Sequence, residues 1–287
     1  MLPDLSRQRF PPMLYETLMK KKSELFVVGW HNDPQPKEKE KDIMDHRLET
    51  RQKVVEAGMK MLSTNLTVGT WGNISCRVPG EDNIAITPTG MSYDTLVPED
   101  IVVLDLRGKT ISGYRKASIE VPLHLAIYHA RQDVQAIVHT HSAYTTAMAV
   151  ARREIPGAVE DLVQIVGGNV RVNEYALPGT EQLGINTVKA MAGRNAVLLA
   201  NHGMLGVGRN LEEAFRVCQV VEKSAQVTLL AQLMGGVVEL SQEDIDGMRN
   251  FYLQGYGQDK DKDKDKDKDK DKDEDNDKDK DKDKDVS

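Results

Sequence analysis

Two of the seven histidines in this 287-residue chain, His139 and His141 in Val138-His139-Thr140-His141, have a spacing that could do chemistry. Side chains two apart on a strand share a face, so both imidazoles can approach one ion. Neutral imidazole suits Zn²⁺ and its first-row neighbours, and three protein ligands leave a coordination position open for substrate. A third candidate ligand, His202, sits in Asn201-His202-Gly203 after an apolar run, where the glycine permits close approach of backbone or ligand. A His-x-His pair by itself is more often superficial or structural. Weight therefore falls on its convergence with other motifs. His31 and His46 read as surface residues, and His124 and His129 as packing or surface residues.

One carboxylate is well placed to join them. Glu120, in Lys116-Ala117-Ser118-Ile119-Glu120, stands at the opening of an expected helix, where an acid also complements the macrodipole. Beside a metal it can ligate the ion and then act as a proton-transfer base. Two segments offer glycines and hydroxyls for an anion: Gly69-Thr70-Trp71-Gly72-Asn73-Ile74-Ser75 and Thr87-Pro88-Thr89-Gly90-Met91-Ser92. Backbone N–H groups in such turns form anion-binding concavities, and a helix N-terminus near Ser118 would add a third donor set. Neither segment is a P-loop or a dinucleotide fingerprint.

The elements that must position these residues follow from periodicity. Residues 43–62 read as a helix with Leu48, Val55, Met59 and Leu62 along one stripe. Strands are expected at 74–78 and 84–87, joined by Pro79-Gly80, and at 101–106, 134–140, 196–200 and 204–207. Helices are expected at 118–131, 142–152, 180–192, 211–234 and 241–254. The mixture predicts a three-layer α/β/α fold with a central, mainly antiparallel sheet.

Composition divides the chain. Residues 1–41, with Phe10-Pro11-Pro12 and a proline-bearing charged stretch, read as an N-terminal extension and linker. Residues 42–258 read as one catalytic domain. From Asp259 onward the chain is nearly pure Asp-Lys alternation, with 11 Lys, 15 acids and Val286 as its single apolar residue, so a disordered tail is expected. Alternating charge does not make a nucleic-acid arm, which needs a block of one sign. Cys76 and Cys218 have no CxxC spacing and fit a reducing, cytoplasmic setting. No signal pattern follows Met1 and no apolar run approaches the ~18 residues of a membrane span.

Taken in order, the motifs resemble the class II aldolase/adducin family, and within it the L-fuculose-phosphate aldolase branch. The match runs through Gly69-Thr70-x-Gly72-Asn73-x-Ser75, Ile86-Thr87-Pro88-Thr89-Gly90, Ser118-x-Glu120, His139-x-His141, Gly167-Gly168-Asn169, Gly179-Thr180 and His202-Gly203. The resemblance implies Zn²⁺, or another divalent first-row metal, on His139, His141 and His202, with Glu120 as fourth ligand and catalytic acid/base. It implies a sugar phosphate held near Gly72, Asn73, Thr89, Gly90 and Ser118, and cleavage of a ketose 1-phosphate to dihydroxyacetone phosphate and an aldehyde. Tyr256 resembles a C-terminal tyrosine that reaches a neighbouring subunit's site, in a homotetramer with sites between subunits. Ile119 stands where such aldolases often have a second serine, and Asp161 where a tyrosine acid is expected. An epimerase, a dehydratase or a decarboxylase on the same metal site stays open as an alternative, as does a non-catalytic adducin-like interaction module. Epimerases of the family typically carry Asp at the position of Glu120.

Overall fold

The computed structural model describes residues 38–255, with side chains from Ile43 onward. Tyr256, the expected tail and nearly all of the expected N-terminal extension lie outside the described residues. The elements in chain order are α1 (Glu38–Ser63), β1 (Asn73–Arg77), β2 (Asn83–Ile86), β3 (Val102–Asp105), β4 (Thr110–Ser112), α2 (Val121–Ala130), β5 (Ala136–Thr140), α3 (Ala143–Val150), α4 (Glu160–Val166), α5 (Glu181–Met191), β6 (Ala196–Leu199), β7 (Gly203–Gly208), α6 (Leu211–Leu233) and α7 (Gln242–Gly255). The strands form one sheet in the order β4-β3-β2-β1-β5-β7-β6. Every pairing between named strands is antiparallel.

Alternation along the strands sends successive side chains to opposite faces. Ala136, Val138, Leu198 and Met204 join Met61, Met148, Leu162, Phe215 and Val221, so α1, α3, α4 and α6 cover one face. Ile137, Val197, Leu199, Leu205 and Val207 join Leu123, Ile127, Tyr128, Leu183 and Met191, so α2 and α5 cover the other. The fold is the three-layer α/β/α arrangement expected. No described helix is long and apolar enough to cross a membrane.

The differences from expectation are local. Helix α1 begins at Glu38, inside the stretch expected to be linker, and it buries Val54, Val55, Ala57 and Met61 while Leu48 and Met59 stay exposed. The small residues Ala57 and Gly58 let this face approach Tyr93, to which a Cβ on Gly58 would come within 2.6 Å. Close approach, rather than the size of the apolar side chains, chose the buried stripe. Helix α2 starts at Val121, three residues later than its pattern suggested, with Glu120 as its N-cap. Besides a single 3₁₀ turn at Pro98–Asp100, two elements went unforeseen, α4 with seven residues and β4 with three, because neither is long enough to display a period.

Candidate functional site

His139 lies one residue from the end of β5, fully buried, and its Nδ1–H donates to the Met204 carbonyl of β7 at 2.8 Å. That bond fixes the tautomer and leaves the Nε2 lone pair free. His141 follows just past the strand end, where its N–H donates to the Leu66 carbonyl. Its Nε2 is 3.0 Å from His139 Nε2, and His202 Nε2 is 3.3 Å from the same atom. The rings are steeply inclined, at 62°, 73° and 87° pairwise, so edges rather than faces converge. The candidate ligand atoms all lie within 4.8 Å of one another.

Two glycines make this convergence possible. His202 stands in the tight turn between β6 and β7, and a Cβ on Gly203 would lie 2.2 Å from the Thr140 carbonyl oxygen. Only a residue without a Cβ lets that turn close onto β5. On the other side Gly72, at φ 78°, passes so near the strand that a Cβ would lie 2.4 Å from the His139 carbonyl oxygen.

Glu120 faces the trio, with Oε2 3.2 Å from His139 Nε2 and Oε1 3.6 Å from His202 Nε2. Burial holds His139 well below the usual histidine range, reinforced by its histidine neighbours. His141 is pushed down to about 3 by burial and by the other two rings. His202 is lowered by burial against the opposing pull of Glu120. The rings are therefore neutral, the state in which imidazole ligates. Buried Oε1 of Glu120 has no hydrogen-bond donor, so an acceptor with an unused lone pair points at the same place. Three neutral imidazoles and one carboxylate oxygen, all presenting lone pairs, fit a divalent cation.

Behind the carboxylate lies a buried polar array. Asn73 Nδ2 donates to Glu120 Oε2 at 2.7 Å, Asn73 Oδ1 is 2.5 Å from His124 Nε2, and Ser75 Oγ is 2.7 Å from His124 Nδ1 and 2.8 Å from Tyr128 Oη. His124 thus has a polar role that its reading as a packing or surface residue missed. A signal was present, because Glu120, His124 and Tyr128 recur every fourth residue and Asn73 and Ser75 every second. His129 is an exposed residue bonded to the Leu106 carbonyl.

A cleft of about 340 Å³ opens over the histidines. Gly72, Asn73, Thr89, Gly90 and Ser118 all line it, with Glu120, His141 and His202. Trp71, Ile119, Pro88 and Pro178 add apolar wall, and the Trp71 indole stacks on His141 with ring centroids 5.8 Å apart. No lysine or arginine is among its described lining residues, so an anion there would rely on N–H and hydroxyl donors. Several expected donors are committed elsewhere. Ser75 turns inward to His124, and Thr87, whose Oγ1 accepts from the Ile74 N–H, does not line the cleft. The N–H groups of Glu120 and Val121 are taken by the Ser118 hydroxyl and carbonyl, so the helix end near Ser118 is partly satisfied from within. Asp161 pairs with Lys223 and Asn169 with Glu154, and neither lines the cleft.

The model of the class II aldolase and adducin N-terminal domain matches residues 52–229. The chain belongs to the class II aldolase and adducin family. Among relatives in this family, the 5-deoxy-D-ribulose 1-phosphate aldolase of Bacillus thuringiensis serovar kurstaki is 39% identical over 208 residues, covering 72% of this chain and 97% of that protein. The L-fuculose phosphate aldolase of Escherichia coli is 35% identical over 196 residues, covering 68% of this chain and 89% of that protein. A solved L-fuculose 1-phosphate aldolase superposes with a TM-score of 0.69 at 38% identity, over 71% of this chain and 96% of the other. The chain thus shares the class II aldolase fold, an antiparallel sheet flanked by helices.

Proposed function

We propose that this chain is a metal-dependent aldolase that cleaves a ketose 1-phosphate to dihydroxyacetone phosphate and an aldehyde. The observation that carries the reading is the convergence of His139, His141, His202 and Glu120 at the floor of a cleft edged by Gly72, Thr89, Gly90 and Ser118. A divalent cation, Zn²⁺ or a first-row neighbour, would be held by the three imidazoles with Glu120 beside them, and would stabilise negative charge developing on the substrate's oxygens.

The chain's own groups do the rest. Hydroxyls of Thr89 and Ser118 and backbone N–H groups beside Gly72 and Gly90 hold the phosphate and fix the sugar's register over the histidines. As the C3–C4 bond breaks, the proton on O4 passes to solvent water at the aldehyde end and the bonding electrons remain with the three-carbon fragment. Glu120 delivers a proton to C3 of that fragment, and in the synthetic direction removes it. Tyr256 of a neighbouring copy, in a homotetramer, completes the proton traffic at the aldehyde end. The exposed apolar side chains Leu233, Met234 and Val238 support association of this kind. The 39% identity to a 5-deoxy-D-ribulose 1-phosphate aldolase supports a 5-deoxypentulose 1-phosphate as the substrate.

The test is a panel of ketose 1-phosphates incubated with metal-replete protein, with dihydroxyacetone phosphate measured enzymatically. Cleavage lost to a chelator and restored by Zn²⁺ or Co²⁺ is expected. An epimer, loss of water or release of CO₂ instead of an aldehyde would overturn the proposal.

A further inference from the structure

We infer that His124 is a positioning residue for the reaction proposed above, holding Asn73 in the one amide orientation that donates to Glu120. Each donor and acceptor along this array is forced by the one before it. A carboxylate offers only acceptors, so the atom of Asn73 that lies 2.7 Å from Glu120 Oε2 must be the amide nitrogen. The amide oxygen, on the other side, can only accept. His124 Nε2, 2.5 Å away, must therefore carry a proton.

Neutrality decides the rest. His124 is completely buried and its ring nitrogens meet only the uncharged Asn73 amide and Ser75 hydroxyl, so the ring stays neutral. A neutral ring with a proton on Nε2 has a bare Nδ1, so the Ser75 hydroxyl 2.7 Å away donates to it. The Ser75 oxygen then accepts from Tyr128 Oη–H at 2.8 Å. All four hydrogen bonds run in the same direction, from Tyr128 through Ser75, His124 and Asn73 to the carboxylate. Bonds aligned in this way polarise one another, and in a buried setting a reversed member would leave an unpaired group.

The architecture explains why the array exists. Glu120, His124 and Tyr128 are spaced by four along the start of α2 and so stack on one helical face. Asn73 and Ser75 are spaced by two on β1 and point to that same side of the sheet. The far end is itself anchored, since Arg77 Nη2 donates to the Tyr128 carbonyl at 2.9 Å and its guanidinium lies 4.8 Å from the Tyr128 ring centre. Without the His124 donor, the Asn73 amide can flip and present its oxygen to Glu120, replacing an attraction by a repulsion.

Two measurements test this. The first needs no turnover: ¹⁵N-resolved NMR of the imidazole should find His124 as the Nε2–H tautomer. An Nδ1–H tautomer would overturn the inference. The second compares His124→Leu with His124→Gln, whose amide can still donate to Asn73. His124→Leu should lower kcat by roughly 10–100-fold, the usual cost of removing an outer partner of a metal-site ligand, with KM little changed. His124→Gln should recover much of that loss at a similar Tm. Full activity in His124→Leu, or equal loss in both variants, would refute the assignment. If His124→Leu fails to fold, the tautomer decides alone. Wild-type protein that cleaves no ketose phosphate would instead sink the aldolase reading and leave the NMR result standing.

Discussion

At Glu120 one carboxylate oxygen is satisfied by Asn73 and the other has no donor at all. This asymmetry suits a group that must be anchored yet free to exchange a proton, and it sets the expected size of its removal. Glu120→Gln should reduce kcat by roughly 10²–10⁴-fold, the normal scale of acid–base catalysis, in a dihydroxyacetone phosphate release assay. The histidines predict differently, because their proposed role is to bind rather than transfer. His202→Ala should leave the protein folded but unable to retain a metal through dialysis, measured as bound Zn²⁺ per chain by elemental analysis. The thiols predict little chemistry. Burial raises Cys76 to about 11 and moves Cys218 upward as well, so both should resist alkylation in the folded state.

Elements act on the site through how closely they can pack. Gly203→Ala inserts a methyl into the Thr140 carbonyl, so the β6–β7 turn must move away from β5. Overpacking of this kind costs about 1–3 kcal/mol. A Tm lower by several degrees, together with weaker Zn²⁺ binding in a chelator competition, is the expected result. Helix α3, which leaves the site directly after His141, is capped from α6: the Glu222 carboxylate accepts the N–H groups of Tyr144 and Thr145, both at 2.9 Å. Glu222→Ala should cost about 0.5–2 kcal/mol in urea unfolding. Much of this was legible beforehand. The alternation of β5 and the glycine after His202 signalled the metal trio, and the long periods of α5, α6 and α7 signalled the layers. What stayed hidden depended on close approach. Nothing in the pattern of α1 said that Ala57 and Gly58, not Leu48 and Met59, would face the core. His124 likewise looked like any helical histidine until α2 was laid against β1.

For the whole molecule, the proposed ligand set spans residues 120 to 202 and exists only when α2, β5, β6 and β7 are assembled. A cation that binds the folded chain alone stabilises it by mass action, about 4.1 kcal/mol at a thousandfold excess over Kd, so Tm should climb with Zn²⁺ concentration. Acid should act in the opposite sense through Glu213. Burial alone would raise its pKa, but the Arg209 guanidinium and N–H and the Tyr252 hydroxyl outweigh it and hold the carboxyl below the usual range. A lowered folded-state pKa contributes stability above the unfolded value of about 4.3, lost as pH falls through the folded one. Glu213→Gln should therefore flatten the fall of Tm below about pH 4.3. One further consequence comes from the cleft's edge, where Trp71 and Ile119 are 65% and 55% exposed. Side chains that contribute so little to the interior can be exchanged with small effect on folding, while the proton-handling groups beneath stay untouched. Selectivity can thus drift in evolution, or be re-engineered through libraries at Ile119, without renegotiating the catalytic apparatus, whereas an exchange of Trp71 also removes the ring against His141.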